Sequence, residues 1–113
     1  MELTKRPYIK RVSILGGEPL ANENIKDVLN LINKIRILFG ESKTIWLYSG
    51  YTFEQCLEDK QRYETLKQCD VFVDGRYIDA LKDVTLRWRG SSNQRVIDVK
   101  QSLKNNEIIL LTE

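Results

Sequence analysis

Three short apolar runs, "RVSIL" at 11–15, "TIWLYS" at 44–49 and "DVFVD" at 70–74, each run directly into a glycine, and this repetition narrows the fold more than any other feature. Each run has the length and the β-branched or aromatic content of a strand. Between the first two, Ile25, Val28, Leu29, Ile32, Ile35 and Phe39 recur at helical spacing until Gly40, with Asn22 the expected N-cap. Between the second and third, Thr52 and Gln55 have the spacing of a capping box, and the helix they open is expected to run to about residue 67. Strand, helix, strand, helix, strand with crossovers of this length is the pattern of parallel βαβ units. The last third carries shorter segments: expected strands at "VTLRW", "RVIDV" and "EIILL", a polar loop at "RGSSNQ" and a brief helical turn over 99–104. The expected fold class is therefore α/β, a partial (β/α) barrel-like and mostly parallel sheet, βαβαβ followed by shorter C-terminal strands. The 113 residues fit one domain, 1–113.

Composition excludes several functions. A formal charge of +2 is too small to argue for nucleic acid. No apolar run approaches the ~20 residues that span a bilayer, and "MELTKRPYIK" lacks the apolar core of a signal peptide, so no membrane partner and a cytoplasmic location are expected. The chain has no histidine, which removes Ser-His and Cys-His nucleophilic catalysis and the usual zinc ligands. Cys56 and Cys69 are too far apart for a CxxC centre and read as small buried hydrophobes. No catalytic residue and no metal ligand is assigned. The charges of "EDKQRYE", 58–64, read as a solvated helix face, and Trp46 and Tyr48 as strand residues packed inward.

Ligands of open α/β sheets gather at the carboxyl ends of the strands. Gly16–Glu18, Ser49–Tyr51 and Asp74–Arg76 all fall there and should share one rim. Adjacent glycines leave main-chain groups uncovered by any Cβ, Glu18 beside them can hold an ammonium group, and Pro19 fixes the exit toward the helix. The plainer alternative is a tight βα turn with a solvated glutamate; a phosphate-like ligand at the GGEP turn is another. "RWRGSSNQR" likewise admits arginines on phosphate with Trp88 stacking a base, or a hairpin whose serines make turn bonds.

Taken together, "SILGGEPL", "IWLYSGYTFEQ", "DVFVDGRY" and "RWRGSSNQRVIDV", in this order and at these separations, resemble the activating proteins of anaerobic ribonucleoside-triphosphate reductase. These are small members of the radical S-adenosylmethionine superfamily. The resemblance covers residues 8 to 111, and the "VDGR" and "RGSSNQR" blocks are more particular to it than GGE. It implies that Gly16, Gly17 and Glu18 bind the methionine amino group of S-adenosylmethionine, with Ser49 and Gly50 bordering the same cofactor. It implies that Asp74, Arg76 and the block Arg89, Ser91, Ser92, Asn93, Gln94 and Arg95 line the face toward the reductase. It also implies a [4Fe–4S] cluster, an electron donor such as a flavodoxin-like protein, and a 5′-deoxyadenosyl radical that takes hydrogen from a glycine Cα of the reductase. The cofactors carry that chemistry and no general base is needed.

The family holds its cluster with CxxxCxxC upstream of GGE, and no cysteine precedes Gly16 here. The expectation is a C-terminal portion, truncated at the N-terminus, that by itself binds no cluster and generates no radical. An exposed edge on the first strand would then favour a homo-oligomer. A non-catalytic module that docks on the reductase is the other reading of such a chain.

Overall fold

The computed structural model describes residues 11–14, 18–40, 42–86 and 88–111. Its elements are β1 (Arg11–Ile14), α1 (Ile25–Phe39), β2 (Thr44–Tyr48), α2 (Phe53–Leu57), α3 (Lys60–Leu66), β3 (Val71–Asp74), a 3-10 turn (Asp79–Leu81), β4 (Arg95–Asp98) and α4 (Val99–Asn105). The strands lie in sequence order in one open sheet, β1, β2 and β3 parallel and β4 antiparallel to β3. The α/β class and the mostly parallel sheet expected from the sequence are what the structure holds.

Strand alternation divides the core between the two faces of the sheet. Val12, Ile14, Ile45, Leu47, Phe72 and Ile97 point to the helical side, against Leu20, Ile25, Ile32, Ile35, Phe53 and Leu66. Trp46, Val71, Val73 and Val96 point the other way and are covered by Tyr48, Trp88 and Leu111. Trp88 meets Trp46 edge to face at 5.4 Å, and the Arg11 guanidinium sits 3.9 Å over the Trp46 ring. Trp46 and Tyr48 thus pack in this layer as strand residues. Gly40 ends α1 at φ 55°, where its amide donates to Arg36 O at 2.7 Å.

Four local expectations change. The helix starts at Ile25 with Asn24 before it, and Asn24 spends its side-chain amide on Glu18 O at 3.0 Å. Asn22, expected as the cap, accepts from Arg62. The second helix divides into α2 and α3, because Asp59 turns to extended backbone and its carboxylate accepts from Arg62 N at 3.0 Å, capping a new helix. The capping box that opens α2 is present in both directions: Gln55 N donates to Thr52 Oγ1 at 3.1 Å and Thr52 N to Gln55 Oε1 at 2.9 Å.

"VTLRW" forms no strand among the described residues. Asp83 accepts from Thr85 N at 2.9 Å and its carbonyl from Leu86 N at 3.2 Å, a turn that competes with any ladder; Arg87 lies outside the described residues. "EIILL" contributes a single paired position, Leu110 opposite Ile97, flanked by Asp98 N to Ile109 O and Leu111 N to Val96 O, each 2.9 Å. The helical turn expected over 99–104 forms as α4, capped by Asp98 and closed by Asn106 at φ 55°. Among the described residues β1 pairs on one side only, and its exposed side chains there are Arg11 and Ser13. No helix among the described residues is long and apolar enough to cross a membrane.

Candidate functional site

The carboxyl ends of the parallel strands converge. Past β2 the ladder continues, with Ser49 N donating to Val73 O at 3.1 Å and Gly75 N to Tyr51 O at 3.4 Å. Across this edge lies Glu18, half-buried, with both carboxylate oxygens engaged. Ser49 Oγ donates to Oε2 at 2.6 Å, Gly50 N to Oε1 at 2.6 Å and Leu20 N to Oε2 at 3.0 Å. Short bonds of this kind are expected of donors aimed at a carboxylate. A methyl group on Gly50 would come within 3.1 Å of Glu18 Oε1, so glycine here is what allows the carboxylate to settle on the peptide. Glu18 is held against β2, where a generic turn would leave it in solvent. Gly16 and Gly17 lie outside the described residues.

The third strand end is organised by Asp74, whose side chain is 1% exposed. It accepts from Phe53 N at 2.9 Å, capping α2, and from Arg95 through Nε at 3.0 Å and through Nη2. Arg95 also reaches Glu54 on α2 at 2.7 Å. The Asp74 and Glu54 carboxylates hold the Arg95 guanidinium firmly in its charged form, and its hydrogen bond in turn lowers the Glu54 pKa.

The block that follows the 3-10 turn is knitted to the same edge. Gln94 Nε2 donates to Gly75 O at 3.0 Å, and Gln94 Oε1 accepts from Gly90 N and Ser91 N at 3.0 and 3.1 Å. Asn93 Nδ2 donates to Arg76 O at 2.8 Å. Ser91 Oγ, fully buried, accepts from Ile78 N at 3.2 Å and donates to Asn93 Oδ1 at 2.6 Å. Arg89 Nη1 donates to Gln94 O at 2.6 Å and Ser92 O at 3.0 Å. Gly75 takes φ 93°, which only glycine tolerates readily, and so turns the chain between Asp74 and Arg76. The structure therefore brings Glu18, Ser49, Gly50, Asp74, Arg76 and the 89–95 block to one rim. Asp74 and Ser91 face inward there; Arg76, Ser92 and Asn93 are exposed.

Sequence reasoning missed Arg62. Placed on a face read as solvated, it is only 12% exposed and bonds to Leu20, Asn22, Tyr51 and Asp59. The periodicity of "EDKQRYE" carries no trace of these contacts, three of which lie outside its own helix. At the opposite end of the sheet Arg36 is similarly occupied, pairing with Asp70 at 2.9 Å.

The thiols stand apart from the rim chemistry. Cys56 and Cys69 are both fully buried, and burial pushes each from 9.0 up to about 12. With two cysteines in the sequence, and no cluster of three or more metal-holding side chains among the described residues, the residues of this chain do not fit a [4Fe–4S] cluster. Because the folded values are raised, both thiols stay protonated where the unfolded chain ionises. Their contribution to stability is therefore complete below pH 9 and is lost as pH rises from about 9 to about 12. At pH 8 both are expected to resist a chromogenic disulfide reagent until denaturant unfolds the chain; immediate reaction of either in the native state would contradict this burial.

A family model described as "4Fe-4S single cluster domain" matches residues 1–97. The anaerobic ribonucleoside-triphosphate reductase-activating protein of Enterobacteria phage T4 is 41% identical over 91 residues, 80% of this chain and 54% of that protein. The protein of the same name from Escherichia coli (strain K12) is 39% identical over 90 residues, 78% of this chain and 56% of its own length. The one from Vibrio cholerae serotype O1 is 41% identical over 92 residues, 80% of this chain and 57% of its own. The chain spans about half the length of the curated relatives it matches. No solved structure matches it. Every rim residue from Glu18 to Arg95 falls inside the matched stretch, and the chain belongs to the 4Fe-4S single cluster domain family, with anaerobic ribonucleoside-triphosphate reductase-activating proteins as its relatives.

Proposed function

We propose that this chain is the cofactor-binding and reductase-facing portion of an anaerobic ribonucleoside-triphosphate reductase-activating protein, and that its rim binds S-adenosylmethionine. The observation that carries the reading is the Glu18 carboxylate, fixed by Ser49 Oγ, Gly50 N and Leu20 N at the edge where three strands end. A carboxylate offers about four acceptor directions. Three are taken by these donors, and the remaining one suits a single N–H of an α-ammonium group. Gly16 and Gly17, beside it in sequence, supply main-chain acceptors for the rest, and the Ser49–Gly50 peptide borders the ligand.

When bound, S-adenosylmethionine supplies a sulfonium carbon bond whose reductive cleavage is the chemistry of radical enzymes. This chain's residues bind and orient its amino-acid end; by itself the chain binds the cofactor without cleaving it. Arg76, Ser92 and Asn93 present the exposed part of the face toward the reductase, on a scaffold that Asp74, Ser91, Gln94 and Arg95 build beneath it.

Titration calorimetry tests the reading with two ligands that share the adenosine. S-adenosylmethionine is expected to bind at least about tenfold more tightly than 5′-methylthioadenosine, which lacks the ammonium and carboxylate. Equal affinities would overturn recognition through Glu18. Binding of inorganic phosphate with none of S-adenosylmethionine would instead identify a phosphate site at the GGEP turn.

A further inference from the structure

Glu18 is held by two segments that have no direct covalent relation, the turn over 18–24 and the loop over 49–51. Arg62, from the helical layer, is bonded to both. Its Nε donates to Leu20 O at 3.0 Å, and its Nη2 to Asn22 Oδ1 and to the Tyr51 hydroxyl, each at 3.0 Å. The guanidinium carbon also lies 4.2 Å from the centre of the Tyr51 ring. The remaining bond, Nη1 to Asp59 Oδ2 at 3.0 Å, ties the group to the cap of its own helix.

These bonds close a circuit around the carboxylate. The Leu20 peptide gives its N–H to Glu18 and its C=O to Arg62, and the Leu20 side chain is fully buried. On the other side Tyr51 N donates to Ser49 Oγ at 3.0 Å, and that hydroxyl donates to Glu18. Displacing Arg62 therefore removes the bonds it makes to both walls of the Glu18 site while leaving every donor to Glu18 in the chain. A lysine cannot substitute, because one ammonium on a flexible stem does not reproduce a planar fork that reaches four acceptors at once.

We propose that Arg62 is a positioning residue that sets the separation between the Glu18 turn and the Ser49–Gly50 loop, and through it the affinity of the rim for an ammonium ligand. It touches no ligand. The affinity part rests on the function proposed for Glu18; the effect on the two walls does not.

The test compares the 113-residue chain with Arg62→Lys and Tyr51→Phe variants by residue-resolved amide hydrogen exchange, thermal unfolding and S-adenosylmethionine titration. In Arg62→Lys the Leu20 and Gly50 amides, which donate to Glu18, are expected to exchange about tenfold faster, and affinity to fall about tenfold. The Leu47 and Phe72 amides, inside the sheet, keep their protection. Tyr51→Phe, which removes one acceptor and leaves the core intact, moves the same two amides by a smaller factor and serves should Arg62→Lys fail to fold. Unchanged exchange at Leu20 and Gly50 in a folded variant overturns the proposal. So does a uniform rise across the chain, which would make Arg62 ordinary support for the fold. Faster exchange at those two amides without any binding of S-adenosylmethionine by the parent chain would leave the positioning role standing and remove the ligand assigned to Glu18.

Discussion

Asp74→Ala is expected to lower stability by about 3 kcal/mol, the largest loss for any single rim substitution. The side chain is 1% exposed, and two groups depend on it: the Phe53 amide that opens α2 and the Arg95 guanidinium. Removing one partner of a fully buried pair costs ~3–5 kcal/mol because the other charge is left without compensation. Here the figure sits at the low end, since Arg95 is 33% exposed and keeps Glu54 at 2.7 Å. Denaturant unfolding monitored by circular dichroism checks the value. Asp74→Asn separates the contributions: the amide retains an oxygen for Phe53 N and loses the charge, so it should recover about 1 kcal/mol of the deficit. Adding Arg95→Met to Asp74→Ala should also recover part, because the cation that lost its buried partner is gone. Asp74→Ala within experimental error of the parent would mean that the buried pair does not hold α2 and β4 together.

The features readable in the sequence are those whose cause is local. The capping box at Thr52 and Gln55 needs only residues three apart, and it forms in both directions. The parallel order of β1, β2 and β3 follows from crossovers long enough for a helix, and their glycine-marked ends must then fall on one edge. Convergence of Glu18 with Ser49 and Gly50 was legible for that reason. The break at Asp59 also had a local cause, an aspartate three residues before the Arg62 amide it caps, but the continuous polar pattern around it concealed the signal. Arg62 and Asp74 were illegible as anchors, since their partners lie 42 and 21 residues away in the chain. Nothing in a charge pattern distinguishes an arginine that fastens a turn from one in solvent. "VTLRW" failed for the opposite reason. Its β propensity is high, and the Asp83 carboxylate diverts the backbone into a turn before any partner strand is met.

Glu18→Gln is expected to weaken S-adenosylmethionine binding by about tenfold, a prediction that depends on the function proposed for the rim. The substitution preserves volume and one oxygen, and its effect has two separable parts. Oε2 accepts from Leu20 N and Ser49 Oγ, and Oε1 accepts from Gly50 N. A serine hydroxyl can rotate and accept from an amide, whereas the two backbone N–H groups cannot. Whichever way the glutamine amide is turned, its NH2 faces either the Leu20 or the Gly50 donor. One backbone N–H thus loses its acceptor, at a cost of ~1–3 kcal/mol that appears in the unliganded protein as reduced stability. The second part appears only on binding, since a charge-assisted bond to an ammonium worth ~1.5–3 kcal/mol becomes a neutral one. Measuring unfolding and titration on the same variant distinguishes them. A stability loss with unchanged affinity would make Glu18 a latch between the turn and β2 with no part in recognition. Loss of affinity for S-adenosylmethionine with unchanged affinity for 5′-methylthioadenosine would place the ammonium on this carboxylate.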